Sequence, residues 1–414
     1  MSATLRRIAV VGPGLMGLGI AQVAAAAGIE VMLVGRDRAS ASTGHARLVA
    51  QLERQVSRGR LGAEASAAIT ASVRPADSGA DLAGCGGAIE SVPEDRALKE
   101  TLLRRIEAAL PEEAWLATNT SGLPIAGLAG ALRRPERFLG LHFFSPVERM
   151  KLVEVVRGSA TSQSSLDAAL AFVTVLGQRP IVVRDGPGFF TTRVFAAYLD
   201  EALAMLGEGV DAAAIEAAAL ANGRAVGPLA VLDEVSLGLN LRQADQARAD
   251  GLDERFCRPL ARLVLERMIA LGRGGRRSGG GFYDHPAAAT RQLWAGLSAL
   301  FASEAAQPPL ETIAARLRAA ETLEALRCLE EGVLASADDA DTGSLLGLGQ
   351  PAASGGVLRN VERQGLDRFV AACDGLAATS GERFRPSPWL RQVAVTGRGL
   401  DAWRRPADLQ GDGS

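Results

Sequence analysis

Three features of this 414-residue sequence predict an α/β domain followed by two all-α domains in tandem repeat. An apolar run opens into a glycine-rich turn near the start, strand-like and helix-like segments then alternate to about residue 186, and the remainder is helical and repeats itself. Alternation of this kind marks a parallel sheet covered by helices. The expected boundaries are 1–186 for the α/β domain, 187–300 and 301–402 for the two helical domains, and a polar, disordered tail at 403–414.

Residues 6–11 form the first strand and lead into Gly12-Pro13-Gly14-Leu15-Met16-Gly17-Leu18-Gly19; an Ala-rich helix then extends to about Ala27, and a second strand spans Ile29 to Val34. The glycines stand at dinucleotide-binding spacing: the first permits a tight turn, the second lets a pyrophosphate approach the backbone, and the third allows close helix packing. The helix N-terminus faces the phosphates. This is a Rossmann-type signature, with Gly12, Gly14, Leu15, Met16 and Gly17 placed against a coenzyme; a plain tight turn is the alternative. Pro13 supplies no N–H.

The second strand ends in Gly35-Arg36-Asp37-Arg38. A carboxylate at this strand end bonds the ribose hydroxyls of NAD, whereas an arginine nearby accommodates the 2′-phosphate of NADP. The acidic position is vacated and Arg36 sits beside it, which favours NADP over NAD. In the opposing reading Asp37 reaches the ribose and the arginines are solvated.

A polar helix follows from about Asp37 to Arg60, its Arg54, Arg58 and Arg60 forming either a phosphate-binding edge or a solvated face. A short helix after Gly62, a weak strand near Val73 and a strand from Ala88 to Val92 come next, then Pro93-Glu94-Asp95 and a helix to about Leu110. Trp115 to Thr118 is another strand, ending in Asn119-Thr120-Ser121-Gly122. Ligands of open parallel sheets bind at such carboxyl ends. Ser121 is a helix cap or a substrate contact.

The run Phe138 to Phe144 carries one histidine, His142, and Lys151-Leu-Val-Glu154-Val-Val follows a Ser145-Pro146 turn. Both runs read as buried strands. If they pair as neighbours, Glu154 can fix the imidazole tautomer and leave the other ring nitrogen to move a proton. The residues also allow a satisfied core histidine beside a solvent-facing glutamate. A helix from Ser165 to Leu176 and a strand from Pro180 to Arg184 close the domain.

Asp185-Gly-Pro-Gly188 breaks the pattern, and Phe189 begins a long helix through Leu206. Glu201-Ala-Leu with Leu206, Glu208, Gly209 and Val210 recurs as Glu324-Ala-Leu with Leu329, Glu331, Gly332 and Val333. Tandem duplication is the economical explanation.

A formal charge of −2 and a pI near 6.1, with no basic block, argue against nucleic acid or an anionic membrane as partner and for a small molecule. Cys85, Cys257, Cys328 and Cys373 are scattered without metal-ligand spacing, so buried thiols in a reduced compartment are expected. The start of the chain has no cleavage-site pattern and no run nears ~18 apolar residues, so a cytoplasmic protein is expected. Nearly all positive charge is arginine, and the two lysines are Lys99 and Lys151. A lysine in such a composition suggests a local need for a compact point charge.

Together these segments resemble the 3-hydroxyacyl-CoA dehydrogenase family: the glycine turn, Asn119-Thr-Ser121, Leu141-His142-Phe-Phe, Met150-Lys-Leu-Val-Glu154-Val, Pro187-Gly-Phe-Phe and Gly279-Gly-Gly-Phe-Tyr283. The chain looks most like the dehydrogenase portion of the multifunctional fatty-acid oxidation enzymes, without a hydratase half. The resemblance implies that His142 is the acid/base and Glu154 its partner, that Ser121 contacts substrate and nicotinamide, and that Glu94, Lys99 and Asn119 lie at the coenzyme. It implies a 3-hydroxyacyl thioester substrate, with CoA as carrier. Thr192 and Ser145 stand where the family commonly has asparagines, and a threonine hydroxyl still donates one hydrogen bond. Relatives with one helical domain dimerise through it, so a second copy implies a monomer, with a homodimer as the alternative. Two rival functions remain: a free or carrier-protein-bound 3-hydroxy acid as substrate, or a catalytically idle family member.

Overall fold

The computed structural model describes residues 6–77, 80–286, 290–397 and 399–400. These form two compact units, one comprising residues up to Phe189 with Val333–Ala335, the other the remaining helical residues. The expected disordered tail, 403–414, lies outside the described residues.

The first unit is built on one eight-stranded sheet in the order β3-β2-β1-β4-β5-β6-β7-β8. Its strands are β1 (Arg7–Val11), β2 (Glu30–Val34), β3 (Val73–Ala76), β4 (Gly87–Glu90), β5 (Trp115–Thr118), β6 (Phe138–Phe143), β7 (Leu152–Arg157) and β8 (Arg179–Arg184). The first six run parallel, in the order of a doubly wound dinucleotide-binding sheet, and the chain reverses between β6 and β7. β7 and β8 are again parallel to each other. The covering helices are α1 (Leu15–Ala26), α2 (Arg38–Ser57), α3 (Ala63–Ser72), α4 (Arg96–Ala109), the short α5 (Ile125–Ala129) and α6 (Gln163–Val175).

Near-continuous apolar strands such as Ile8-Ala-Val-Val are what a sheet buried on both faces requires, and all four side chains are at most 2% exposed. Trp115 packs its ring 5.1 Å from that of Phe172 across the β5/α6 layer. β4 stops two residues short of the expected Val92, because the Glu90 carboxylate accepts the Val92 N–H at 2.6 Å and turns the chain away from the ladder. α2 ends at Ser57 rather than Arg60, ahead of Gly59 at φ +64°.

The helical unit contains α7 (Thr191–Gly207), α8 (Ala212–Ala221), α9 (Pro228–Val235), α10 (Leu237–Ala249), α11 (Pro259–Ala270), α12 (Leu297–Leu300), α13 (Leu310–Glu330), α14 (Ala337–Gly347), α15 (Val357–Gln364), α16 (Leu366–Ser380) and α17 (Pro388–Thr396). A small hairpin, β9 (Tyr283–Asp284) with β10 (Gln292–Leu293), joins the halves. α7 and α13 pack together, and they are the helices that carry the Glu-Ala-Leu repeat.

The seam between α7 and α13 is reciprocal. Arg193 of α7 donates to Glu324 and, at 2.6 Å, to Glu331; Arg316 of α13 donates to Glu201 at 2.6 Å and to Glu208 at 2.7 Å. The repeated Glu-Arg-Phe turns extend the pattern: Arg255 reaches Glu331 at 2.9 Å, and Arg383 reaches Glu201 at 2.6 Å and Glu208 at 3.3 Å. Such exchange of equivalent partners is the signature of a two-fold interface, here formed within one chain. Among the described residues no helix is long and apolar enough to cross a membrane.

Candidate active site

The glycine turn joins β1 to α1. Gly12 adopts φ +109°, and a Cβ there would run into the Ser91 carbonyl. A Cβ on Gly17 would overlap the Gly12 carbonyl, so α1 can approach the turn only with glycine at this position. At Gly14 a Cβ would meet nothing within 4 Å, which leaves open space where a pyrophosphate needs to reach the backbone. Gly14 is also the N-cap of α1 and offers no capping side chain, so the first N–H groups of the helix are left to a ligand or solvent. Leu15 is 71% exposed and Met16 half-buried at this helix start. Pro13 packs against Gly44 of α2, and its carbonyl accepts Arg47 Nη2 at 2.7 Å. These residues fit a dinucleotide.

At the end of β2, Asp37 is committed to α2. Its carboxylate accepts the Ser40 N–H at 2.7 Å while the Ser40 hydroxyl bonds back to Asp37, a capping box. The Ser40 hydrogen bonds and the adjoining Arg36 charge hold the Asp37 carboxyl below its usual value. Arg36 itself points into solvent, its side chain 88% exposed. Arg54, Arg58 and Arg60 are likewise exposed at the far end of α2.

The carboxyl ends of β4 and β5 hold Glu94, Lys99, Asn119 and Ser121. Glu94 Oε1 accepts from Thr120 Oγ1 at 2.5 Å and from the Ser121 N–H at 3.2 Å. Asn119 spans three strand ends, donating to Ser91 Oγ at 3.3 Å and accepting the Phe143 N–H at 2.9 Å. Lys99 is 1% exposed, its ammonium engaged by protein oxygens. Ser121 does not cap α5, contrary to one reading of the sequence. The N-cap is Pro124, and Asp185 supplies the acceptors instead, taking the Ile125 and Ala126 N–H groups at 2.9 and 2.7 Å. Burial outweighs these bonds and raises the Asp185 carboxyl above its ordinary value.

β6 and β7 pair antiparallel with His142 directly opposite Glu154. His142 Nδ1 lies 2.6 Å from Glu154 Oε2, the glutamate being wholly buried and the imidazole side chain 10% exposed. The carboxylate therefore selects the tautomer with hydrogen on Nδ1 and leaves Nε2 as the ring nitrogen it does not engage. The rings of Phe144 and Phe189 lie 4.5 and 6.1 Å from the imidazole and restrict its rotation. Phe189 holds φ +52°, uncommon for a bulky side chain. One part of the core-histidine reading fails on this pairing: Glu154 faces the ring, not solvent. Asn119, through the Phe143 N–H, also anchors the backbone next to His142.

Thr192 is half-buried in the first turn of α7, in the helical unit, and Ser145 is exposed beyond β6. Sequence reasoning passed over Glu90 and Asp185. Glu90 closes the otherwise apolar strand Gly87-Ala-Ile-Glu90, and a lone acid at such a position was the available signal.

Comparison with known proteins agrees with this geometry. Residues 7–186 match the family model described as 3-hydroxyacyl-CoA dehydrogenase, NAD binding domain, and residues 188–285 match the corresponding C-terminal domain. The chain is 34% identical over 400 residues to the fatty acid oxidation complex subunit alpha of Shewanella frigidimarina, covering 95% of this chain and 55% of that protein. It thus spans about half the length of that curated relative. The crystal structure of 3-hydroxybutyryl-CoA dehydrogenase from Escherichia coli superposes with a TM-score of 0.79 at 27% identity, covering 95% of this chain and 99% of the other. That of (S)-3-hydroxybutyryl-CoA dehydrogenase from Ralstonia eutropha gives 0.64 at 33% identity, over 68% and 99%. With its glycine turn, its strand-borne histidine and glutamate, and both domain models matched in order, the chain belongs to the 3-hydroxyacyl-CoA dehydrogenase family.

Proposed function

We propose that this chain interconverts a 3-hydroxyacyl thioester and its 3-oxo form by hydride transfer with a nicotinamide coenzyme, CoA being the carrier. The observation that carries the reading is the 2.6 Å contact of His142 Nδ1 with Glu154 Oε2 at the carboxyl edge of a dinucleotide-binding sheet. A bound nicotinamide ring supplies the acceptor, or in reverse the donor, of the C3 hydride. His142 Nε2 takes the 3-hydroxyl proton as that hydride leaves, and returns it in reduction. Glu154 offsets the imidazolium charge without itself accepting the proton. The Ser121 hydroxyl donates to the reacting oxygen as charge develops there. Thr192 is carried as a further hydroxyl donor to the substrate on the resemblance alone, and Thr192→Val tests it.

NADP is the preferred coenzyme in this reading. A Cβ at position 35 would collide with the Ser40 hydroxyl and come within 2.7 Å of the Ala41 nitrogen, so the strand end has no room for the ribose-binding carboxylate. Asp37 is occupied as a cap, and Arg36 is the exposed charge beside the vacated position. The reciprocal α7/α13 seam supports a monomer, the second helical half taking the place of a partner subunit; light scattering after gel filtration tests this. The deciding assay follows absorbance at the reduced-nicotinamide band with acetoacetyl-CoA or free acetoacetate and each of NADPH and NADH. Turnover of the thioester with NADPH is expected. Turnover of the free acid alone, or a strong preference for NADH, contradicts the corresponding part.

A further inference from the structure

The register between β5 and β6 stops at Thr118, opposite Gly140, while β6 runs on to Phe143. Residues 141–143 therefore face no residue of β5, although β7 still pairs with them on the other side. His142 lies in this overhang. Backbone N–H groups alternate sides along a strand, so the Phe143 N–H points to the side where β5 has ended, in a strand buried along its whole length. A buried N–H without an acceptor is costly, and a strand relieves it by bending away or by admitting water.

Asn119, the first residue after β5, supplies the acceptor. Its Oδ1 takes the Phe143 N–H at 2.9 Å, so the side chain makes the bond that a further β5 residue would have made. Asn119 is itself held from the β4 side: its backbone N–H donates to the Glu90 carbonyl at 2.7 Å and its Nδ2 to Ser91 Oγ at 3.3 Å. The Phe143 partner is a backbone N–H, which can only donate, and it fixes which way the amide is turned. With the Phe143 N–H directed to the β5 side, the backbone groups of His142 turn to β7. There Glu154 stands directly across, its Oε2 2.6 Å from His142 Nδ1.

We propose that Asn119 is a positioning residue for His142: it completes the β6 ladder beyond the end of β5 and so keeps the imidazole in register with Glu154. The family resemblance places Asn119 at the coenzyme, whereas this role acts through β6 and needs no coenzyme. Its effect on rate rests on the proposed function, since register matters to turnover only if His142 moves the proton. The register itself is readable without turnover. Small displacements of a reacting group are enough to cost rate.

The test uses the full chain labelled with ¹⁵N-histidine. Of its three histidines two face carboxylates, His142 Nδ1 towards Glu154 and His285 Nε2 at 3.0 Å from Asp233. A proton in such a charge-assisted bond resonates at low field; His142→Gln assigns the first resonance, and that of His285 serves as an internal control. Asn119→Ala should move the His142 resonance upfield, leave the His285 resonance in place, and lower kcat on acetoacetyl-CoA by about 10- to 100-fold with KM within about twofold. Asn119→Asp keeps an acceptor for the Phe143 N–H and should restore the resonance and most of the lost kcat. An unmoved His142 resonance in Asn119→Ala would overturn the proposal, and a coenzyme Kd raised about tenfold beside it would make Asn119 a coenzyme contact only. Loss of both low-field resonances would overturn it as well, because Asn119 would then hold the fold and not the histidine. Wild-type turnover separates the two readings: an inactive wild type whose resonance answers to Asn119 removes the activity and keeps this role, whereas an active wild type with an unmoved resonance removes this role alone.

Discussion

Both units of the molecule bury charge, and they do so in opposite ways. At the α7/α13 seam of the helical unit the charges come in equivalent sets: Arg193 meets Glu324 and Glu331 as Arg316 meets Glu201 and Glu208. At the carboxyl edge of the sheet they are unequal. Glu154 occupies one nitrogen of His142 and leaves the other, and Glu90 and Glu94 share a single lysine. A symmetric set in which each charge meets its counterpart fixes how two helices pack, and the nitrogen it leaves over, Arg193 Nη2, is sealed inside the seam. An asymmetric set at strand ends retains an unengaged nitrogen, and chemistry needs that. Burial of a charge is therefore not by itself a sign of a reactive group.

Breaking the seam should give the largest effect on stability. Arg193→Met leaves Glu324 with Arg327 and Glu331 with Arg255 as remaining partners and should cost about 3 kcal/mol, read by urea denaturation; a loss under about 1 kcal/mol would mean the seam is not a structural device. Pairing it with Glu324→Leu should recover much of the loss, because a buried ion pair replaced as a unit is often neutral. Glu154→Gln addresses the other region and should lower kcat by on the order of 10²-fold, about 2.7 kcal/mol, with little change in melting temperature.

Acid sharpens the contrast. Burial works to raise the Glu324 and Glu331 carboxyls, but the guanidinium groups of Arg193 with Arg327, and of Arg193 with Arg255, more than offset it and hold both below the ordinary 4.5. A carboxyl depressed in the folded state stabilises above its unfolded pKa and loses that contribution as pH falls through the folded value. The difference in melting temperature between wild type and Arg193→Met should therefore be full above about pH 5 and shrink progressively below about 4.5. The smallest effect expected is at the coenzyme: Arg36→Ala should raise the NADPH Kd by about tenfold, the value of one charge-assisted contact, and leave that for NADH unchanged.

Much of the site was legible in the sequence because it lies on regular elements. The Gly12–Gly17 spacing fixed the first turn, and one histidine in Phe138–Phe144 followed by Glu154 in the next apolar run predicted the pair, since adjoining strands bring such residues into register. The reversal between β6 and β7 was legible only in the connection, residues 144–151, which is too short for the crossover that a parallel pair needs; apolar runs buried on both faces carry no mark of direction themselves. Asp185 capping α5 was missed because capping signals are sought next to the helix, and this acceptor comes from a linker many residues later. The seam was half visible: the repeat was recognised from Glu201 and Glu324, and its extension upstream to Arg193 and Arg316 would have shown a matching charge of opposite sign at each equivalent position. Glu90 looked like a strand end, and only its burial shows that a partner is obligatory.

The claim on which the account turns is that the imidazole braced by Glu154 moves the proton. Single-turnover oxidation of reduced coenzyme by acetoacetyl-CoA, compared between the wild type and His142→Gln, tests it most directly. The account predicts a wild-type transient that slows by roughly two to four powers of ten in the variant, with coenzyme binding and melting temperature unchanged. Equal transients in the two proteins would contradict it.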